Sequence, residues 1–319
     1  MTVPSSSRAV AVGHAHAKVI LVGEHAVLYG QPALAMPLQA LSMRAVIAPT
    51  NGPLVLDCPI YFGPLREAPL ELSGIATAFA QALDHLGARR EGLSLSLRSS
   101  MPMVRGLGSS AASAAAVVRA VYACFGATVD EHDLRRFVDL AEDQVHGTAS
   151  GIDSAGVIAQ GPFLFRVGQP PKKVEPGAGA VLVVGDTGSS AETRSAVAAV
   201  RRLLDARTQE VLRTMAALGE LALSAQRALE DGNLSGLGEA LDAAQQKLEA
   251  LGVSHPKLEE LVRAARAAGA IGAKLTGGGR GGCMIALAAD DAAARDITQA
   301  LHAAGATGTW QQPIGGNAG

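Results

Sequence analysis

A glycine- and serine-rich turn that leads into a run of alanines is the feature that most constrains the fold of this 319-residue chain. It lies in PMVRGLGSSAASAAAVVRA, residues 102–120. The segment before it, LSLSLRSS from Leu93, alternates apolar and polar residues, which predicts a half-buried β-strand. The order therefore predicts a strand, a flexible loop containing Gly106 and Gly108, and a slim helix that ends at Gly126.

The predicted loop has the chemistry of a phosphate-binding turn. Backbone N–H groups at a helix N-terminus lack intrahelical partners, and the helix dipole adds partial positive charge, so anions bind there. Gly106 and Gly108 permit positive φ and let a ligand approach the backbone closely. Ser109 and Ser110 add hydroxyl groups for phosphate oxygens or a metal ion. The alanines that follow leave room for a bulky ligand or a neighbouring element.

The loop alone leaves other interpretations open. It is not a Walker loop, because it does not read G-x-x-x-x-G-K-[ST]. Gly106, Gly108 and Ala111 do match the G-x-G-x-x-A pattern of a dinucleotide-binding turn. However, the strand before them alternates instead of being apolar throughout, and a capped helix stands where a second strand with a ribose-binding acid is expected. A turn that only connects a strand to a helix is the third interpretation.

Composition narrows the classes of function. Hydrophobic residues make up 48% of the chain and charged residues 18%, which suffices for packed interiors, and the length favours two domains. The net charge of −2 gives no basic surface for nucleic acid or an anionic membrane, and no apolar run is long enough for a membrane span. Cys58, Cys124 and Cys283 have neither metal-ligand spacing nor the even number of a disulfide framework. These features, with an N-terminus that lacks the apolar run of a signal peptide, predict a cytoplasmic protein.

The N-terminal half shows two further patterns. An apolar run over residues 19–22 predicts a strand followed by a loop. Thr128 and Glu131 have capping-box spacing ahead of a helix expected to end near His146. The following GTASGID is expected to form a loop, and GPFLFRVG to form a strand.

The C-terminal half begins with a buried strand, AVLVVGDTG, from Ala180. Long helices are expected from about Glu192 to Ala250, with a break at DGN, followed by a further helix, KLEELVRAARAAG. KLTGGGRGGCMIALAA predicts a second glycine-rich loop and a strand, DDAAARDITQALHAAG a helix, and TGTWQQPI a final strand. The proline- and glycine-rich connector PPKKVEPGAG predicts a domain boundary, with domains at residues 1–178 and 179–319.

Several charged residues are candidates for chemistry. Asp153 is a lone carboxylate flanked by small and apolar residues, which favours a site, although Asp is also common in turns. Glu142, near the end of a helix, could be a solvated surface charge. Lys18 could extend its ammonium group to solvent. His14 and His16 form an H-x-H pair without a third metal ligand in the sequence.

The combination of motifs resembles the GHMP small-molecule kinases, and within them the mevalonate kinases. AKVILVGEHAVLYG, PMVRGLGSSAA and KLTGGGRGGC occur in the family's order, and HGTASGIDSAG and DTGSSAETR support the likeness. The apolar AVLYG after GEH differs from the T-D-Y of galactokinases and suits a methyl-bearing substrate. Phosphomevalonate kinases typically carry GEY, and mevalonate-diphosphate decarboxylases lack the GEH element. The alternative is a sibling kinase acting on phosphomevalonate or another small alcohol.

The resemblance implies a reaction, two cofactors and a set of site residues. The expected reaction is ATP-dependent phosphorylation of the primary hydroxyl of mevalonate to 5-phosphomevalonate, a step in isoprenoid precursor synthesis, with ATP and Mg²⁺. Asp153 resembles the catalytic carboxylate and Lys18 the lysine beside it, while Ser110 and Glu142 match the magnesium ligands. The loop around the ATP phosphates would comprise Pro102, Arg105, Gly106, Leu107, Gly108, Ser109, Ser110, Ala111 and Ala112. The residues lining the mevalonate region would be Glu24, His25, Asp153 and Thr193, with Gly277, Gly278 and Gly279 in a closing loop.

Two positions depart from the family pattern. Lys18 often follows Pro-Gly in the family, whereas His16 and Ala17 precede it here. Arg280 interrupts a glycine run that is often continuous. Its side chain could reach a phosphate or be solvated, and we expect it to be solvated. The implied fold is α+β, with a ribosomal-protein-S5-like N-terminal domain and a ferredoxin-like C-terminal domain. The expected partner is a small-molecule substrate, with no nucleic acid or membrane, and a homodimer is the assembly considered.

Overall fold

The structure, a computed structural model, describes residues 9–146, 150–191 and 193–315. The strands are β1 Ala11–Val22, β2 Ala33–Pro49, β3 Val55–Cys58, β4 Tyr61–Pro64, β5 Leu93–Ser99, β6 Phe163–Phe165, β7 Lys172–Lys173, β8 Ala180–Asp186, β9 Gly272–Thr276, β10 Cys283–Ala288 and β11 Gly308–Ile314. The helices are α1 Ser73–His85, α2 Ser109–Cys124, α3 Glu131–His146, α4 Ile152–Ile158, α5 Thr193–Ala206, α6 Thr208–Glu230, α7 Leu234–Ala250, α8 Pro256–Ala267 and α9 Asp291–Ala303. The mixed content agrees with the expected α+β class.

The chain divides into two units that are not continuous in sequence. The first holds the residues up to Ala17 with Leu41–Pro102 and Gly108–Ile158, and the second holds Lys18–Ala40, Met103–Leu107 and the residues from Ala159 onward. Along the sequence, the change from one unit to the other falls within β1, within β2 and at the glycine-serine loop. The contiguous boundary at residues 178/179 stays a prediction.

In the first unit, the second half of β2 pairs antiparallel with β5, which in turn pairs parallel with β3. Strand β5 follows the alternation of its sequence, because Leu93, Leu95 and Leu97 are buried while the serines between them are half-buried. Helices α1, α2 and α3 pack against one another. The predicted strand before the glycine-serine loop is confirmed.

The start of α3 corrects one expectation. The side chain of Asp130 accepts a hydrogen bond of 2.8 Å from the backbone N–H of Asp133, so Asp130 caps the helix and the predicted capping role of Thr128 is wrong. Both residues are good N-caps, and only the local backbone path decides between them.

The predicted loop GTASGID is also revised. Its residues 147–149 lie outside the described residues, but α4 already begins at Ile152, so Asp153 lies in the first turn of a helix. The Ser154 hydroxyl donates to the Gly151 carbonyl at 2.9 Å and to the Asp139 carboxylate, which connects this turn to α3. The residues of Ile152–Ile158 are nearly all buried, so this helix is stabilised by its packing, which its short sequence does not reveal.

The second unit is built on a four-stranded antiparallel sheet with the strand order β11-β8-β10-β9. The inner strands β8 and β10 are apolar along most of their length and completely buried, as expected for central strands. Helix α7 packs on β9, α8 on β9 and β10, and α9 on β8, β10 and β11. The predicted strands and helices after Ala180 are present, but the long helical region has a further break, at Arg207 between α5 and α6, that the sequence analysis did not predict.

The long helical region divides as the sequence predicts at DGN. Helix α6 ends at Glu230, and α7 begins at Leu234 behind Asn233, whose side chain accepts a hydrogen bond of 3.0 Å from the Gly236 N–H. The expected start at Glu192 falls outside the described residues, and α5 begins at Thr193. Among the described residues, none of the helices combines the length and the apolar character needed to cross a membrane.

Candidate active site

The glycine-serine loop has the backbone conformation that its sequence predicts. Gly106 and Gly108 have φ of 77° and 75°, and Gly108 is the residue from which α2 starts. The first N–H groups of α2, at Ser109 and Ser110, therefore emerge directly from the turn. Leu107 is buried between the two glycines, which fixes the loop against the interior of the protein.

Helix α2 is rich in alanine because a strand crosses it at very short distance. A Cβ atom on Gly13 of β1 would lie 2.0 Å from the Ala116 carbonyl oxygen and 2.5 Å from the Ala120 backbone nitrogen. Every residue of α2 from Ala111 to Val118 is buried. Of the two roles suggested for the alanine run, close packing of a neighbouring element is the one that the structure shows.

Lys18 supports the start of the loop from two sides. Its backbone N–H donates to the Leu107 carbonyl at 3.0 Å, and its Nζ donates to the Gly106 carbonyl at 3.2 Å. The side chain is buried, so the alternative of an ammonium group that reaches solvent is excluded. A positive charge is thus held at the base of the predicted phosphate-binding turn.

Arg105 connects the loop to the segment after β8. Its Nε lies 2.9 Å from Asp186 Oδ1, and its terminal nitrogens donate to the Gly188 carbonyl at 3.1 Å and to the Ser190 hydroxyl. These contacts hold the guanidinium group on protein acceptors, so they support an anchoring role for Arg105. Contact of Arg105 with ATP stays a prediction, as it does for the half-buried Pro102.

Glu24 and His25 follow β1 and are both buried. His25 has a positive φ of 60°, which is uncommon for a residue with a side chain and is typical of functional sites. Its Nε2–H donates to the Gly278 carbonyl at 3.0 Å. Burial lowers the pKa of His25 to about 4, so the ring is neutral near pH 7 and its Nδ1 can accept a hydrogen bond.

Lys274 is the site residue that sequence reasoning missed. It lies on β9 with 0% exposure, and its Nζ donates to Glu24 Oε1 and to the Leu275 carbonyl. Burial raises the pKa of Glu24 and lowers that of Lys274, while each partner's charge opposes the shift of the other. The available signal was a lysine inside GAKLT, a strand that is otherwise small or apolar, since a lysine in such a strand needs a partner.

The second glycine-rich loop approaches the first one backbone to backbone. A Cβ on Gly277, whose φ is 82°, would lie 2.9 Å from the Gly106 carbonyl oxygen. A Cβ on Gly278 would lie 2.6 Å from the Thr193 hydroxyl oxygen, which places Thr193, an exposed residue, beside this loop. Glycine is required at both positions because any side chain would displace these neighbours.

Gly279 and Arg280 complete the second loop. Gly279 has a φ of 79°, and Arg280 keeps a positive φ of 58° while its N–H donates to the Val253 carbonyl at 2.8 Å. The Arg280 side chain is half-buried, and its charge contributes to the lowered pKa of His25. The expected solvation of the Arg280 side chain stays a prediction.

The first unit contains the two carboxylates. Glu142 is on α3 with 4% exposure, so it is not the solvated surface charge that was the alternative. Asp153 is half-buried in the first turn of α4. Ser110, in the first turn of α2, is also half-buried. His14 and His16 join no cluster of three potential metal ligands among the described residues.

Comparison with known proteins agrees with these observations. The family model of the GHMP kinases N terminal domain matches residues 73–161, and that of the GHMP kinases C terminal matches residues 225–307. The chain is 37% identical to a mevalonate kinase of Pyrococcus horikoshii over 312 residues, which cover 91% of this chain and 92% of that protein.

Two solved structures show the same likeness in three dimensions. A mevalonate kinase from methicillin-resistant Staphylococcus aureus is 32% identical with a TM-score of 0.71, and the match covers 97% of this chain and 100% of that one. The L. major mevalonate kinase in complex with R-mevalonate is 27% identical with a TM-score of 0.85, and both chains are covered completely. Motif order, loop geometry and these matches agree that this chain belongs to the GHMP kinase family and, within it, to the mevalonate kinases.

Proposed function

We propose that this chain transfers the γ-phosphoryl group of ATP to the primary hydroxyl of mevalonate and releases 5-phosphomevalonate and ADP. The observation that carries the proposal is the buried Glu24–His25 pair at the end of β1, followed by the buried apolar Ala26 and Val27. This arrangement combines hydrogen-bonding groups for a hydroxyl with an apolar surface for a methyl-bearing carbon chain. Relatives over most of the chain are named mevalonate kinases, and one was solved with R-mevalonate.

The nucleotide phosphates are assigned to the glycine-serine loop. The N–H groups at the start of α2 and the hydroxyls of Ser109 and Ser110 supply donors, and Gly106 and Gly108 keep the backbone accessible. Lys18, held on the Gly106 carbonyl, adds a full positive charge at the loop. Phosphoryl transfer spreads negative charge over the transferred oxygens, so such fixed donors stabilise its transition state.

Asp153 is assigned the role of orienting the substrate hydroxyl and accepting its proton. A carboxylate is a weak base toward an alcohol, but the hydroxyl becomes acidic as its bond to phosphorus forms, so the proton leaves late. The hydrogen bonds of the neighbouring Ser154 to Asp139 and Gly151 hold the turn that carries Asp153. This support is what a positioned acid–base group needs.

Ser110 and Glu142 are the proposed ligands of Mg²⁺. A serine hydroxyl and a buried carboxylate are hard oxygen donors of the type that Mg²⁺ binds, and a buried carboxylate gains most from a cation. When bound, the ion would neutralise charge on the nucleotide phosphates.

A coupled ADP-release assay with mevalonate, phosphomevalonate and galactose tests the proposal. We expect turnover with mevalonate and a loss of at least ~100-fold in kcat for Asp153→Asn, with unchanged thermal unfolding. Turnover with only phosphomevalonate or only the sugar would assign the chain to a sibling reaction. Near wild-type turnover of Asp153→Asn would remove this residue from the mechanism.

A cytoplasmic location and a homodimeric assembly are also proposed. The scattered cysteines, of which Cys124 and Cys283 are buried, support a reducing cytoplasm. A homodimer is the assembly proposed, and light scattering coupled to size exclusion would measure the molar mass directly.

A further inference from the structure

The buried ion pair between Lys274 and Glu24 is costly to form. The two side chains have exposures of 0% and 1%. Removing two charges from water costs several kcal/mol per ion, and apolar residues of similar volume often replace such pairs without loss of stability. A buried pair with this cost suggests a functional role for one of its charges.

Within the part of the chain that the structure describes, only one of the two Glu24 carboxylate oxygens is hydrogen-bonded, and this indicates what the pair does. Lys274 Nζ donates to Glu24 Oε1 and to the Leu275 carbonyl, so two of its three protons are engaged. Glu24 Oε2 is buried as well, and it has no hydrogen-bond partner among the described residues. Buried carboxylate oxygens are nearly always hydrogen-bonded, so an oxygen in this state is suited to a donor supplied by a ligand.

Strand β9, which carries Lys274, is tied by a side chain to β1, the strand that precedes Glu24. The Thr276 hydroxyl donates to the Ile20 carbonyl and accepts from the Ile20 N–H, both at 3.0 Å. The buried Gln245 side chain accepts from the Leu275 N–H at 2.8 Å. Lys274 and Glu24 therefore face each other at a fixed offset, so the lysine restrains the rotation of the carboxylate.

We propose that Lys274 is a positioning residue for substrate binding: it holds Oε1 of Glu24 and thereby directs Oε2 to accept a hydrogen bond from a hydroxyl of the alcohol substrate. This inference deepens the proposed function and depends on it. The charged groups that act on Glu24 are Lys274 and, more weakly, Lys18, and the adjacent residue His25 is neutral near pH 7. Without Lys274, only the weaker attraction of Lys18 opposes the effect of burial on the Glu24 carboxylate, which then takes up a proton more readily as the pH falls.

The test compares Lys274→Met with Lys274→Arg and with the exposed control Lys257→Met. Initial rates are measured at pH 6.5, 7.5 and 8.5 with mevalonate and ATP varied separately. For Lys274→Met we expect KM for mevalonate to rise at least ~10-fold at pH 7.5 and further at pH 6.5, while KM for ATP changes less than twofold. Lys274→Arg should recover part of the loss, and Lys257→Met should match the wild type.

A second pair of variants keeps the test decisive if Lys274→Met does not fold. The double variant Glu24→Gln with Lys274→Met carries neither charge of the pair, and in Glu24→Gln alone Lys274 can lose its proton, because burial already lowers its pKa. If Lys274 acts through Glu24, the second substitution changes KM for mevalonate less than twofold in the Glu24→Gln background. The inference would be overturned if Lys274→Met raised KM equally for mevalonate and ATP at every pH. It would also be overturned if Lys274→Met raised KM for mevalonate as much in the Glu24→Gln background as in the wild type.

The wild-type protein in the same assay separates the two proposals. Absence of turnover with mevalonate would overturn the proposed function and, with it, the inference. Wild-type turnover together with unchanged kinetics of Lys274→Met would overturn the inference alone.

Discussion

The contact between the two glycine-rich loops yields a prediction whose size follows from the geometry. In Gly277→Ala the new Cβ would lie 2.9 Å from the Gly106 carbonyl oxygen, about half an ångström closer than the 3.4 Å at which ordinary contacts begin. The Gly106 atoms that this Cβ meets are all backbone atoms, so no side-chain rotation can relieve the overlap and the Gly106 turn must move. The same carbonyl accepts the Lys18 Nζ hydrogen bond, so the displacement reaches the proposed phosphate site.

The expected loss of unfolding free energy in Gly277→Ala has two parts, and a matched control variant separates them. Alanine at positive φ costs ~1–2 kcal/mol at any position, and overpacking against Gly106 adds ~1–3 kcal/mol. Gly305→Ala carries only the first part, because Gly305 has a φ of 90° and, apart from its two chain neighbours, no described residue has an atom within 4 Å of the place its Cβ would take. Because misplacement by ~1 Å can cost ~100-fold in rate, we expect kcat/KM for ATP to fall ~10-fold or more in Gly277→Ala only.

Urea unfolding and steady-state kinetics of the two variants measure both parts. Equal losses of unfolding free energy in Gly277→Ala and Gly305→Ala, with wild-type kinetics in both, would refute the reasoning. The close approach of the two loops would then have no energetic consequence.

Three further predictions concern other parts of the molecule. Glu142→Gln should shift the Mg²⁺ titration of activity to higher concentration with unchanged thermal unfolding, and an identical titration would exclude ligation. The pKa of His25 is 6.5 in the unfolded state and about 4 in the folded state. Between these two pH values the unfolded state binds more protons than the folded state, so the free energy of unfolding decreases as the pH falls. In urea unfolding, the free energy of unfolding of His25→Gln should fall by about 2 kcal/mol less than that of the wild type between pH 7 and pH 5. The same pH dependence in both proteins would contradict this. Gly13→Ala should destabilise the protein by ~3 kcal/mol or more because its Cβ meets the backbone of α2, whereas the open Gly161→Ala should stay within ~0.5 kcal/mol, and equal stability of both would contradict the packing.

Local sequence was sufficient wherever neighbouring residues determine the structure. The strand at Leu93, the positive φ of Gly106 and Gly108, and the start of α2 depend on alternation, on backbone freedom and on helix geometry within about thirty residues. The break before Leu234 and the helix cap at Asn233 are local in the same way. The order of the motifs was also sufficient to identify the family.

Only the tertiary structure decided the features that join distant parts of the chain. Lys274 and Glu24 are 250 residues apart, and no local pattern predicts that they share a hydrogen bond. The same holds for Gly13 against Ala116 and for Gly277 against Gly106. Burial of a charge, and the close approach of two backbones, depend on which surfaces meet after folding, and short-range propensities carry no information about that.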